Sequence, residues 1–249
     1  MDSTGKCSTA VIVGHGPSLK SAGLGKKIDA CDKVIRLKNC YYLLAETQNY
    51  GARTDVMCSS TEVLHYLHKV KAQEYWGYPK HGTYNQASVW QLERRVGPVH
   101  IPLELTNLWN CVFLELGGRH PNVSTGMGAI VIALDRFRPE ALYLAGFDTL
   151  LDPKIAYAST VPTKFNDGGT KDTGHDWETE NQMLPYLAAH FGAEIKDLAD
   201  TYRTGARERS GALGKMACQE PGEIQRGIEE QEKGRSGEEQ GEVSRLAAG

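Results

Sequence analysis

The sequence predicts an α/β fold built on a single open, mostly parallel sheet flanked by helices. Two observations carry that prediction. Short apolar runs recur, each followed by small or polar residues: Val11-Ile12-Val13 before Gly14, Val34-Ile35-Arg36-Leu37 before Lys38-Asn39, and Val56-Met57-Cys58 before Ser59-Ser60. Polar or helically spaced stretches lie between them, as crossover connections between parallel strands require. At 249 residues the chain is long enough for one substantial α/β core.

The organising stretch is Val11–Leu19, a strand emptying into Gly14-His15-Gly16-Pro17-Ser18. Gly14 and Gly16 carry no Cβ, so their backbone can come close to a ligand, and the amides of such a loop suit a phosphate. The dinucleotide spacing Gly-x-Gly-x-x-Gly fails, because Leu19 occupies the third glycine position. That disfavours a dinucleotide-dependent oxidoreductase.

Beyond the second strand, Cys40–Leu44 is apolar and aromatic, and Gly51–Ser60 reads as turn, third strand and polar strand end. Residues 61–72 carry Val63, Leu64, Leu67 and Val70 at helical spacing. His65 and His68 on that helix are ordinary surface or packing histidines unless a metal pairs them. Residues 74–86 read as a loop, Val89–Val96 as a helix, Val99–Leu103 as a short strand and Leu105–Leu116 as a helix.

Ser124 and Thr125 are good caps for a tightly packing apolar helix, and a hydroxyl-rich start with free amides suits an anion. Ala141–Ala145 is a further strand, ending in Gly146-Phe147-Asp148. Residues 149–174 have the length of a lid or binding loop. His175-Asp176-Trp177-Glu178-Thr179-Glu180 opens an amphipathic helix, with Pro185 as an awkward guest that can kink it, and Phe191–Leu198 supplies a last strand. From Thr204 onward the chain has no aromatic residue and is dominated by Gly, Glu, Gln, Arg and Lys. The expected organisation is a folded domain over 1–203 and a disordered polar tail over 204–249.

A net charge of −3 makes no electrostatic case for nucleic acid. The six cysteines are scattered, with no Cys-x-x-Cys pair, so zinc is not expected and reduced thiols are. The polar N-terminus and the lack of any apolar run of spanning length lead to the expectation of a cytoplasmic protein with no membrane span. A Golgi placement would require an anchor upstream.

These residues carry a resemblance. From Val11 to Asn39 the chain resembles the long motif of animal sialyltransferases, and its Gly-x-Gly-Pro-Ser-Leu wording is closer to the bacterial ones. Ser124-Thr125-Gly126-Met127 through Gly146-Phe147 resembles their short motif, and His175-x4-Glu180 their very short motif. The resemblance implies a Rossmann-like sheet of the sialyltransferase GT-A variant. It also implies inverting transfer of a sugar acid, sialic acid first and a keto-sugar acid such as Kdo second, from a CMP donor to a hydroxyl of an acceptor glycan. The implied general base is His175, whose imidazole titrates near working pH. The implied nucleotide and donor contacts are Gly14, His15, Gly16, Ser18, Asn39, Ser124, Thr125, Gly126, Gly146 and Asp148, with Glu180 orienting its helix or a neighbouring group.

The family joins its long and short motifs by a disulfide; Ala10 and Phe137 stand at the equivalent positions, consistent with a reducing compartment. His15 replaces a family asparagine. No Asp-x-Asp triplet occurs, which favours a monophosphate leaving group and a reaction with no metal or other cofactor besides the donor substrate. A non-catalytic nucleotide- or glycan-binding relative is the alternative.

Overall fold

The structure, a computed structural model, describes residues 7–38, 40–79, 86–120, 122–154 and 175–202. Asn39, the His65 side chain, most of the 149–174 segment and the tail from 204 lie outside the described residues.

In chain order the elements are β1 (Thr9–Val13), α1 (Gly25–Ala30), β2 (Lys33–Leu37), α2 (Thr47–Tyr50), β3 (Val56–Ser60), β4 (Glu74–Tyr78), α3 (Gln86–Val96) and α4 (Leu103–Glu115). They continue with α5 (Thr125–Phe137), β5 (Ala141–Ala145), α6 (Asp148–Leu151), α7 (Trp177–Phe191), β6 (Glu194–Asp197) and α8 (Leu198–Tyr202). Short 3-10 turns occupy Pro17–Leu19, Cys40–Tyr42 and Thr61–Lys69.

The six strands form one sheet in the order β4-β3-β2-β1-β5-β6, and every pairing is parallel. The expected open parallel sheet is therefore present. β1 lies inside it, and its apolar run Ala10–Val13 is wholly buried, as a strand covered on both faces requires. Alternation sorts the two faces. Val11, Val13 and Val34 pack with Leu24, Ile28, Tyr50 and Leu198 on one face. On the other, Ile12 aligns with Ile35, Ile35 with Val56 and Ser60 with Tyr78, and the Tyr78 ring lies so close to Gly128 that a Cβ there would meet it at 2.2 Å. That contact sets α5 on this second face, buried from Met127 to Leu134.

Arg36 is fully buried on the first face, where burial pulls its guanidinium below its usual range. Its Nε donates to the Arg53 carbonyl and Thr54 Oγ1 at 3.0 Å, and one Nη donates to the Tyr50 carbonyl at 2.8 Å. This motif residue pins the β2–β3 connection.

Three local readings are corrected. Residues 74–78 form strand β4 rather than a loop; Gly77 is there because a Cβ would press on Ile101 and Thr61 at 3.0 and 3.1 Å. The stretch 61–69 winds as a 3-10 helix, although Leu64 and Leu67 bury as expected. Val99–Leu103 is no strand of its own: His100 makes a single parallel bridge to Trp76, and α4 begins at Leu103. Within 149–174, the first described residues belong to α6.

Candidate active site

Strand order reverses between β1 and β5, which are neighbours although β2, β3 and β4 follow β1 on its other side. In an open parallel sheet the crevice for a ligand lies beyond the strand carboxyl ends at such a reversal. Here those ends are Val13 and Ala145, so the loops that meet are Gly14–Leu19 and Gly146–Asp148.

They are stitched together. Gly14 N–H donates to the Ala145 carbonyl at 2.7 Å, Gly16 N–H to the Gly146 carbonyl at 2.9 Å, and Ser18 N–H to Asp148 Oδ2 at 2.9 Å. A Cβ at Gly14 would lie 2.5 Å from the Gly146 oxygen; one at Gly16 would lie 2.7 Å from that oxygen and 2.8 Å from the Asp148 carboxyl group. Gly146 itself has φ +72. The amides of Gly14 and Gly16 are thus already donated within the protein, and the missing side chains serve loop-to-loop contact. The sequence alone could not show that a neighbouring loop is what excludes a side chain at these glycines.

His15 sits between the glycines with its Nε2 enclosed. Burial, reinforced by the Lys38 ammonium, lowers its pKa to about 4, against hydrogen bonds to the backbone of Leu37 and Lys38. It is a neutral imidazole at pH 7. Those bonds tie the first loop to the end of β2, immediately before Asn39.

The helices that lead into β5 and β6 must start at the same carboxyl edge, since they run antiparallel to the strands they feed. Ser124 caps α5, its Oγ accepting from Met127 N–H at 3.1 Å. The same hydroxyl donates to Glu180 Oε2 at 2.6 Å, and Ser124 N–H donates to Glu180 Oε1 at 2.7 Å. Glu180 is wholly buried, so a carboxylate from the first turn of α7 locks onto the start of α5. Ser124, 4% exposed, is occupied by this lock. Thr125 and Gly126 remain half-buried at the helix start, and a Cβ on Gly126 would meet the Phe147 ring at 2.9 Å.

Beneath this corner Tyr78 donates to Asn110 Oδ1 at 2.6 Å, Val123 N–H reaches the same oxygen at 3.3 Å, and Asn110 Nδ2 donates to Asn122 Oδ1 at 3.4 Å. Burial raises the Tyr78 phenol, with the Glu180 charge adding to the effect. The sequence offered no periodicity or motif that could have grouped these three residues.

His175 precedes α7 on the same edge, and its ring rests on Trp177 with centroids 4.9 Å apart. Asp176 caps α7 by accepting from Thr179 N–H at 3.3 Å, and forms an ion pair with Arg119 at 3.1 Å. Burial pushes the Asp176 carboxyl up, but the bonds from Arg119 and Thr179 outweigh it and leave it below the usual carboxylate range. Early bend, capped helix and late imidazole therefore share one edge of the sheet.

Residues 1–84 match the family model described as glycosyltransferase family 29 (sialyltransferase). The similarity covers the N-terminal third of the chain. The resemblance read from the motifs is borne out by that match, which contains Val11–Asn39; Ser124–Asp148 and His175–Glu180 lie beyond it. Among curated proteins none matches the chain. A crystal structure of a mammalian sialyltransferase in complex with Gal-beta-1-3GalNAc-ortho-nitrophenol is similar at 16% identity, covering 76% of this chain and 69% of that one, with a TM-score of 0.47. A second mammalian sialyltransferase crystal structure is similar at 17% identity over 76% and 68% of the two chains, also at 0.47.

Proposed function

We propose that this chain is an inverting transferase that moves a sugar acid, sialic acid before a Kdo-type acid, from a CMP donor to a hydroxyl of an acceptor glycan. The observation that carries the reading is the convergence of three sequence-distant segments on one edge of the sheet, at its reversal of strand order, in a chain whose residues 1–84 match the sialyltransferase family model.

In this reading His15, Ser18 and Asn39 border the cytidine, with His15 acting as a neutral hydrogen-bonding group. Gly14, Gly16, Gly146 and Asp148 shape the crevice by holding its two loops together. Ser124 fixes the helix start, from which the first-turn amides of Thr125 and Gly126 face the donor's phosphate or carboxylate; such amides have no partner inside their own helix. The acceptor oxygen attacks the anomeric carbon as the bond from that carbon to the phosphate oxygen breaks. The bonding pair leaves with CMP, and the hydroxyl proton passes to His175. Displacement from the opposite side inverts the anomeric centre. Stabilisation of the departing monophosphate falls to hydrogen bonds and the helix start, with no metal or resident cofactor.

The test is CMP release from CMP-sialic acid and CMP-Kdo with a panel of glycan acceptors, with and without EDTA. Release that survives EDTA and falls at least about 100-fold in His175→Ala is expected. Calorimetric binding of CMP without release from either donor would favour a non-catalytic nucleotide-binding protein instead.

A further inference from the structure

We propose that Arg119 is a positioning residue for the His175 imidazole and acts through Asp176; the idea rests on the transferase reading above. Arg119 comes from the stretch between α4 and α5, far in sequence from α7. Its backbone N–H reaches Asp176 Oδ2 at 3.2 Å, its Nε reaches the same oxygen at 3.1 Å, and an Nη reaches Oδ1 at 3.4 Å. Capping α7 needs only Oδ1, which accepts from Thr179 N–H. The second oxygen is thus given over to Arg119.

The exposures are lopsided. The Asp176 side chain is 3% exposed and that of Arg119 is 74% exposed, so a surface guanidinium reaches over an enclosed carboxylate. The guanidinium itself stays in solvent, which screens its charge, and the helix is already capped through Oδ1. What the pair does fix is the placement of the peptide joining His175 to Asp176. His175 is the first described residue after the 155–174 stretch, and its ring leans on Trp177, the first residue of α7. Between them stands Asp176, held on both carboxylate oxygens by a segment that leads directly into the Ser124 helix start. Arg119 therefore ties the proposed base to the proposed donor site from outside, as Glu180 does from inside. A general base displaced by about 1 Å loses on the order of 100-fold in rate, whereas the affinity of a donor held elsewhere is untouched.

Two readouts on the full chain test this. In the CMP-release assay Arg119→Ala should lower kcat by roughly 10- to 100-fold with donor KM within about twofold. Arg119→Lys should recover part of the loss, because an ammonium can reach one oxygen but not grip both. Asp176→Asn keeps an oxygen for Thr179 but weakens the hold of Arg119, and the double variant should be no worse than the poorer single one. Independently of turnover, the His175 Cε1–H resonance of histidine-labelled protein, assigned with His175→Gln, should shift or broaden in Arg119→Ala and move back in Arg119→Lys.

A His175 resonance unmoved in Arg119→Ala overturns the proposal, as does an unchanged kcat. A raised donor KM at constant kcat also overturns it, since Arg119 would then be touching substrate itself. Wild-type protein that releases no CMP defeats the transferase reading alone, because the resonance still reports on the coupling.

Discussion

Gly14 and Gly16 show how one residue type can answer two demands. A ligand-facing loop and a loop pressed on its neighbour both exclude a Cβ, and here the neighbour supplies contacts at 2.5 and 2.7 Å. The opposing atom is a backbone oxygen that cannot rotate away. Gly16→Ala should therefore lose about 2–3 kcal/mol by urea unfolding. Gly23 is the control: at φ +64 with nothing within 4 Å, its alanine variant should lose only about 1 kcal/mol, from backbone strain.

His15 carries a pH prediction. Its imidazole titrates near 6.5 in the unfolded chain and at about 4 in the fold. Above pH 6.5 it is neutral in both states and adds no slope. Between 6.5 and 4 the unfolded chain takes a proton that the folded chain refuses, so stability falls with falling pH by up to about 3 kcal/mol, and levels off below 4. His15→Gln should remove that share of the acid loss, read as a smaller drop in urea midpoint between pH 7 and pH 4 than the wild type shows.

At the scale of elements, the corner between α5 and α7 matters most. Glu180 accepts a hydroxyl and an amide proton from Ser124 with no solvent to replace it. Glu180→Ala leaves both donors buried and should lose about 3 kcal/mol; Glu180→Gln, which keeps an acceptor oxygen, should lose less. Pro185 sits inside α7, where it has no N–H to give the carbonyl one turn back. Pro185→Ala should restore that bond and raise stability by about 1–3 kcal/mol, measured by the same urea titration.

The elements also show where local reading works. β1, β2, β3, α5 and α7 were legible because apolar runs, caps and turn glycines mark them within a few residues. β4 was not. Glu74-Tyr75-Trp76-Gly77-Tyr78 has the tyrosines and glycine of a loop, and becomes a strand because β3 offers an open edge while Ile101 and Thr61 close over Gly77. The 61–69 segment kept its buried face but tightened from α to 3-10, a difference that hydrophobic spacing cannot resolve over so short a run.

At the scale of the molecule, a ligand that binds only the folded state stabilises it by mass action. CMP at about 100 times its dissociation constant should add roughly 2.7 kcal/mol, seen as a raised melting temperature, while UMP at the same concentration should add much less. A shift no larger for CMP than for UMP would count against a cytidine site.

By itself the sequence determined the class of fold, the motifs and their order, because strand runs, helix caps and glycine turns are written in neighbouring residues. It could not say that Gly16 faces Gly146, that Glu180 closes on Ser124, or that Arg119 grips Asp176. Each of those pairs joins segments far apart in the chain, and only the folding of a parallel sheet, which gathers its loops and the starts of its helices at one edge, brings them within hydrogen-bonding reach.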